Sequence, residues 1–281
     1  MQATFSKNLS ISDLFSGDLQ LSSPPIIYFK LQKLIEDPNK SVADTAMLIE
    51  TDASLSLKLL KIVNSAFYGF PSKITSINQA INLIGTKELQ NIVLSTIVIE
   101  KFSDLPGGLI SMQDFWERSL RCALIAQEID VFLGKSFSDS AFICGILHNI
   151  GQLVFFQRLP ELSRQVNFLL ESKERPSESD EIEIEKNVIG FDHYEAGAAL
   201  TSLWKLPKII TDSISLHSCS NHADDNHKIA SIIRLADFYS KVGIEDSDPV
   251  INNLEISPSD VRVIIGRAEE KIEEILNVFI T

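Results

Sequence analysis

Imidazole chemistry in this chain is confined to five histidines: His148, His193, His217, His222 and His227. The first closes an apolar run, Ala141-Phe142-Ile143-Cys144-Gly145-Ile146-Leu147-His148-Asn149-Ile150-Gly151. Imidazole and carboxylate are both suited to a divalent ion, and an open position on such an ion would let its bound water attack a phosphoester. Here the second position is an amide. Asn149 carries no charge and is a poor ligand beside aspartate, so the pair offers one metal donor where histidine and aspartate would offer two.

The remaining candidates are spread along the second half. His193 follows Asp192, which with Glu195 has the spacing of a capping box, so it is either a first-turn residue of a packed helix or a ligand. His217 ends the pattern Ile209-Ile210-Thr211-Asp212-Ser213-Ile214-Ser215-Leu216 and either meets the negative end of that helix or faces a cavity. His222 and His227 lie in the polar stretch Asn221-His222-Ala223-Asp224-Asp225-Asn226-His227, which reads as an exposed loop. Asp237 stands inside the apolar pattern Ile232-Ile233-Arg234-Leu235-Ala236-Asp237-Phe238-Tyr239, where a charge requires a partner.

These residues must be positioned by helices. Apolar side chains recur at helical spacing almost throughout, with no sustained alternation to support a sheet, so the fold class is all-α. Residues 1–20 read as a lead segment, 21–105 as a first helical bundle and 106–281 as a second part with a C-terminal helix. In the first bundle one stripe follows Pro24-Pro25, a second helix begins near Ser41, and Ser54 is placed to cap a third. The break falls at Ser103-Asp104-Leu105-Pro106-Gly107-Gly108, where proline and paired glycines favour a turn. Beyond it the spacing predicts helices near 114–133, 138–149, 152–173, 192–204, 207–217, 226–242 and 258–279. Ser257, Pro258 and Asp260 mark the start of the last. Glu171 to Glu185 holds seven acidic and two basic residues with few apolar anchors, and reads as a solvated excursion.

Composition narrows the classes. With 281 residues, 44% hydrophobic and 22% charged, the chain can bury a large core. Lys+Arg 25 against Asp+Glu 38 gives a net charge of -13, which repels phosphate backbones and anionic lipid heads, so nucleic acid and membrane are not expected partners. Three cysteines, Cys122, Cys144 and Cys219, show no C-x-x-C spacing and suit a reducing, cytoplasmic compartment. No segment approaches the roughly 18 uninterrupted apolar residues of a membrane span, and no leader pattern opens the chain.

Several ordered motifs resemble those of the HDOD family, the HD-related output domains of bacterial signalling proteins, over about residues 20–245. They run through Ile49-Glu50-Thr51-Asp52-Ala53-Ser54-Leu55, Leu59-Leu60-Lys61-Ile62-Val63-Asn64-Ser65-Ala66-Phe67-Tyr68, Ile74-Thr75-Ser76-Ile77-Asn78-Gln79-Ala80-Ile81 and Leu83-Ile84-Gly85. Phe115-Trp116-Glu117-Arg118-Ser119, Gly145 to Gly151, Phe191-Asp192-His193 and Leu203-Trp204-Lys205-Leu206-Pro207 continue the match. The resemblance implies an all-helical protein whose second part is similar to an HD-type phosphohydrolase bundle, in a family that generally lacks a complete catalytic centre. This chain departs further. Arg118 stands where the related pattern often carries its first histidine, Asn149 replaces aspartate, and Ser218 follows His217 where a second histidine is common.

The resemblance therefore implies a vestigial pocket of Arg118, His148, Asn149, His193, His217 and Asp237, with no metal or other cofactor expected. A guanidinium about 5 Å from a divalent ion would be repelled by roughly 6 to 7 kcal/mol at an effective dielectric of about 20, so Arg118 is expected to replace the ion and pair with Asp237. Should a metal bind, His148, His193, His217 and Asp237 are the candidate ligands. Asn64 is read first as the end of an apolar helix, bonding locally to freed backbone groups. The leading functional expectation is a noncatalytic signalling or regulatory module that recognises another protein. The alternatives are a small-ligand sensor for a nucleotide or anion and a metal-dependent phosphohydrolase with an atypical ligand set.

Overall fold

In the computed structural model the described residues are 9–17, 21, 23–65, 67–103, 105, 110–134, 137, 140–174, 176–218, 225–242 and 254–280. Every regular element among them is helical, as the apolar spacing predicts. After a short 3-10 turn, Ile11–Phe15, the first part holds α1 (Ile26–Glu36), α2 (Val42–Glu50), α3 (Ala53–Val63), α4 (Ile77–Ile84) and α5 (Thr86–Lys101). The second holds α6 (Met112–Phe132), α7 (Ala141–Leu147), α8 (Ile150–Arg158), α9 (Pro160–Glu171), α10 (Glu178–Val188), α11 (His193–Leu203), α12 (Lys208–Ser215), α13 (Asp225–Val242) and α14 (Pro258–Phe279). No helix among the described residues is long and apolar enough to cross a membrane.

Short polar side chains set the helix starts. Ser41, Ser76, Ser111, Ser177 and Ser257 each accept a bond from an amide three residues on, satisfying one of the donors that a helix N-terminus leaves free. The expected box of Asp192 and Glu195 opens α11, and Pro258 occupies the first turn of α14. At α3 the cap is Asp52, whose carboxylate accepts from the Leu55 amide, rather than Ser54. The charged oxygen two residues earlier is the stronger acceptor, and it starts the helix at Ala53.

Two expectations in the second part are corrected. The single helix anticipated over 152–173 is broken at Leu159, and Pro160 restarts the chain as the first residue of α9, the position where a missing amide proton costs least. The acidic stretch to Glu185 is not a solvated excursion: Ser177 and Asp180 form a capping box, and the chain from Glu178 onward is α10. Part of the turn expected at 103–108, together with His222, Cys219 and the His227 side chain, lies outside the described residues.

The two parts share one apolar core that reaches from Leu14 to Phe279. Helix α5 packs on α7, and α14 packs on both α6 and α3. Trp204, fully buried at the end of α11, donates its Nε1–H to the Leu21 carbonyl at 2.9 Å and lies beneath the Lys101 ammonium. Asn64 ends α3 as its amide chemistry suggests. Its Nδ2 donates to Leu60 O at 2.7 Å and Ile74 O at 2.8 Å, while its Oδ1 accepts from Ile74 N at 2.8 Å. Those bonds hold the chain leading into α4.

Candidate functional site

The site is built where helices come closer than side chains normally permit. A Cβ on Gly145 would lie 2.5 Å from Ala123 Cα, so α7 rests directly on α6. Immediately beyond, the chain bends through His148 and Asn149 into α8, and α8 crosses α11 at Gly151 and Gly197. That crossing sets His148 beside the first turn of α11, which carries His193 and Tyr194. His217 arrives from the end of α12, and Asp237 from the middle of α13.

His148, His193, His217 and Asp237 are all buried, each 3% exposed or less. Their rings form a pile: His148 is stacked on His217 with centroids 5.7 Å apart, His217 on Tyr194 at 4.5 Å, and Tyr194 lies tilted against His193 at 4.0 Å. Neighbouring oxygens call for a proton on Nδ1 of both His148 and His193. His148 Nδ1 donates to the Gly145 carbonyl at 2.6 Å, which leaves Nε2 facing Asp237 Oδ1 at 3.1 Å. Glu185 Oε2 accepts from both the His193 backbone amide at 2.9 Å and the His193 ring Nδ1 at 2.7 Å. His217 Nε2 lies 3.4 Å from Glu178 Oε1 and 3.7 Å from Asp237 Oδ2.

Three carboxylates in this layer come from α10, the helix in the acidic stretch. Glu178 accepts from the Tyr194 hydroxyl at 2.6 Å, Glu181 from the Gln152 amide at 2.7 Å, and Glu185 from His193. The spacings of three and four place all three on one face of the helix. High charge density obscures them in the sequence. The readable signal is the cap pattern, Ser177 followed three residues later by Asp180, which starts a helix and fixes that face.

The cation that meets Asp237 is Lys241, not Arg118. Lys241 Nζ lies 2.7 Å from Asp237 Oδ2, one helical turn along α13, while Arg118 is half-buried on α6 and makes no ion pair with Asp237. An i,i+4 lysine on the same helix reaches the carboxylate without any rearrangement between helices. Burial opposes the charge on Asp237, but Lys241 and His148 hold its carboxyl well below the usual range. Burial likewise opposes the charge on Lys241, and Asp237, Glu181 and Glu178 outweigh it, raising the ammonium above the ordinary lysine value.

The other titrating groups diverge. Burial would keep His193 neutral, yet contact with Glu185 overrides it and lifts the imidazole to about 9. His217, desolvated without so close a carboxylate, is lowered and stays neutral. Asn149 is buried with Oδ1 lacking a hydrogen-bond partner among the described residues.

A divalent ion in the frame of His148 and Asp237 meets an unsuitable donor set. Asn149 offers a neutral amide in place of a carboxylate, and the Asp237 oxygen is already bonded to an ammonium. An ion on that oxygen about 4 Å from Lys241 Nζ would be repelled by roughly 8 kcal/mol at an effective dielectric of about 20. The Lys241 contact opposes a metal on that oxygen, while His148 Nε2, His217 Nε2 and Asn149 Oδ1 are buried around it without a hydrogen-bond partner among the described residues. Among the described residues, the group whose ligand atoms all lie within 4.8 Å of one another is instead Glu181, Glu185 and His193. A cleft of about 430 Å³, lined by Ser177, Glu178, Ser179, Arg234, Phe238 and Lys241 among others, opens onto Asp237 from outside.

The profile of the HDOD domain matches residues 21–219. An uncharacterized protein of Treponema pallidum (strain Nichols) is 29% identical over 227 residues, which is 78% of this chain and 41% of that protein. The chain thus spans less than half the length of that relative. A solved HDOD domain protein of Geobacter sulfurreducens, of unknown function, superposes with a TM-score of 0.74 at 24% identity over 95% of each chain. A provisionally assigned phosphohydrolase of Shewanella amazonensis SB2B gives 0.73 at 20% identity over 94% of this chain and 99% of its own. A provisionally assigned signal transduction protein of Marinobacter aquaeolei VT8 gives 0.72 at 19% identity over 92% and 60%. At these identities the likeness establishes the fold.

Proposed function

The chain belongs to the HDOD domain family, and on that premise we propose that it is a noncatalytic signalling or regulatory module that acts by recognising another protein. The observation that carries this reading is the Lys241 ammonium 2.7 Å from Asp237 Oδ2. A lysine tethered one turn away supplies permanently the positive charge that a hydrolytic ion would bring, and a carboxylate so neutralised is a poor ligand. Arg118, Asn149 and Ser218 stand at positions where related patterns carry histidine, aspartate and histidine, and they support the same conclusion. What remains of the pocket then serves to pack α7, α11, α12 and α13 around a polar layer. The name of the Marinobacter neighbour is in keeping with signalling.

The reading is tested by assaying the purified chain against bis(p-nitrophenyl) phosphate and p-nitrophenyl phosphate with added Mn2+, Mg2+ or Fe2+. No turnover above the metal-only blank is expected. Hydrolysis abolished by Asp237→Asn would overturn it.

A second reading is favoured by the cleft over Asp237. Its cations are Arg234 and Lys241, with the hydroxyls of Ser177 and Ser179 and the Phe238 ring beside them. Glu178 and Asp237 add two carboxylates to the same lining and Lys241 is tied to Asp237, so Arg234, the seryl hydroxyls and the Phe238 ring are what it offers a small anionic ligand with a flat apolar portion, such as a nucleotide, in a sensor that binds without hydrolysis. Thermal stabilisation by a nucleotide, lost in Arg234→Ala, would favour this reading over the first.

A further inference from the structure

Away from Asp237, α10 and the first turn of α11 bring an unusual set of donors together. Glu181 and Glu185 lie one turn apart on a single face of α10, and His193 approaches from α11. One ligand atom from each falls within 4.8 Å of the other two. Glu185 is 3% exposed and His193 1%, whereas Glu181 is half-buried at the rim.

Beside the carboxylates is a cavity of about 20 Å³, lined by Glu181, Glu185, Gln152, Ser163 and Asn167 among others. That is room for one water-sized occupant, in a wall that Phe155, Phe156, Val166 and Ile189 complete with apolar surface. His193 Nδ1 already faces Glu185 Oε2 at 2.7 Å, while Nε2, the ring nitrogen that Glu185 does not engage, is buried without a hydrogen-bond partner among the described residues. Two carboxylates at i,i+4 in a mostly dry place repel one another, and the donors that reach them are the Gln152 amide and His193. The contrast with Asp237 is one of contact, because that carboxylate touches the Lys241 ammonium directly, whereas Glu181 acts on it only from farther off.

We propose that Glu181, Glu185 and His193 form a site for one divalent transition-metal ion, separate from the Asp237 carboxylate, that ties α10 to α11. Two carboxylates and an imidazole are a mixed hard and borderline set, suited to Mn2+, Fe2+ or Zn2+ rather than to Ca2+. The Gln152 amide supports Glu181 from behind, as outer-shell groups orient ligating carboxylates. The ion would take over the role of the proton now held between Glu185 and His193 Nδ1, so binding would release that proton. The site is structural or regulatory, and it is compatible with the absence of hydrolysis.

The test is equilibrium dialysis of the full chain against Mn2+ and, separately, Zn2+, with bound metal measured by elemental analysis. Wild type, Glu181→Gln and Asp237→Asn are compared, each checked for native helicity by circular dichroism. One equivalent is expected in wild type and in Asp237→Asn, with affinity reduced by at least about tenfold in Glu181→Gln. In wild type, pulsed EPR of the bound Mn2+ should show coupling to an imidazole nitrogen, an observation that needs no variant. No stoichiometric binding, no nitrogen coupling, or unchanged affinity in Glu181→Gln would overturn the inference and leave the noncatalytic reading standing. Loss of metal in Asp237→Asn would assign the ion to that carboxylate and overturn both.

Discussion

Gly151 and His193 touch backbone to backbone: a Cβ at Gly151 would lie 1.8 Å from the His193 carbonyl oxygen. Nothing there is a flexible side chain that can turn aside. Gly151→Ala must separate α8 from α11, at a cost of about 3 kcal/mol, the upper end for overpacking a core. The urea midpoint should fall with the slope unchanged, and a variant as stable as wild type would show that the crossing is looser than this contact implies.

Lys241 and Asp237 should behave as a unit. Lys241→Met leaves the buried carboxylate without its nearest cation, but the lysine side chain is 30% exposed, so the loss is discounted to about 1–2 kcal/mol. Asp237→Ala is the more damaging change, because it strands Lys241 and His148 together, and about 3 kcal/mol or more is expected. Thermal denaturation of the two single variants and the double variant separates the pair from its parts. Strict additivity would mean that the two groups do not interact.

Stability should pass through a maximum near neutral pH. His193 is raised in the fold from 6.5 to about 9, so it contributes stability that is complete below about pH 6.5 and lost as the pH rises through about 9. His217 is lowered from 6.5, so its contribution is present above that value and lost as the pH falls below it. Asp237, held well below 3.8, adds a further loss under more acid conditions. Glu185→Gln should flatten the alkaline limb and spare the acid one. Chemical denaturation at about half-unit pH steps would reveal whether the limbs separate in this way.

Cys122 and Cys144 should be silent towards thiol reagents while the protein is folded. Both are fully buried, and burial pushes the Cys122 thiol well above its ordinary value and the Cys144 thiol up to about 12. Nucleophilic thiolate is therefore scarce and out of reach. Mass spectrometry after brief alkylation should find both unmodified in buffer and both labelled in denaturant. Rapid native labelling of either would contradict their burial.

The helical class and most helix positions were legible because apolar spacing and capping residues agree with one another along α2, α11 and α14. His148, His193, His217 and Asp237 could be singled out because few imidazoles and one lone carboxylate in an apolar run stand out. Arg118 was paired wrongly for a physical reason: sequence does not show distance between helices, whereas Lys241 is four residues from Asp237 and could have been weighed from spacing alone. Glu178, Glu181 and Glu185 were hidden by their own abundance. A dense run of acids reads as solvated, and only a count at intervals of three and four reveals that one row of them turns inward.

Helix α10 is held to the rest of the protein through three polar handles, Glu178 to Tyr194, Glu181 to Gln152 and Glu185 to His193, together with the buried Ile184 and the half-buried Ile182 and Val188. An element with one buried and two half-buried apolar side chains gives up less apolar burial when it detaches than a core helix such as α6, so its opening free energy is lower than that of the helices beneath it. The histidine layer can accordingly become accessible through a local excursion of one helix, at a small fraction of the work needed to unfold the core.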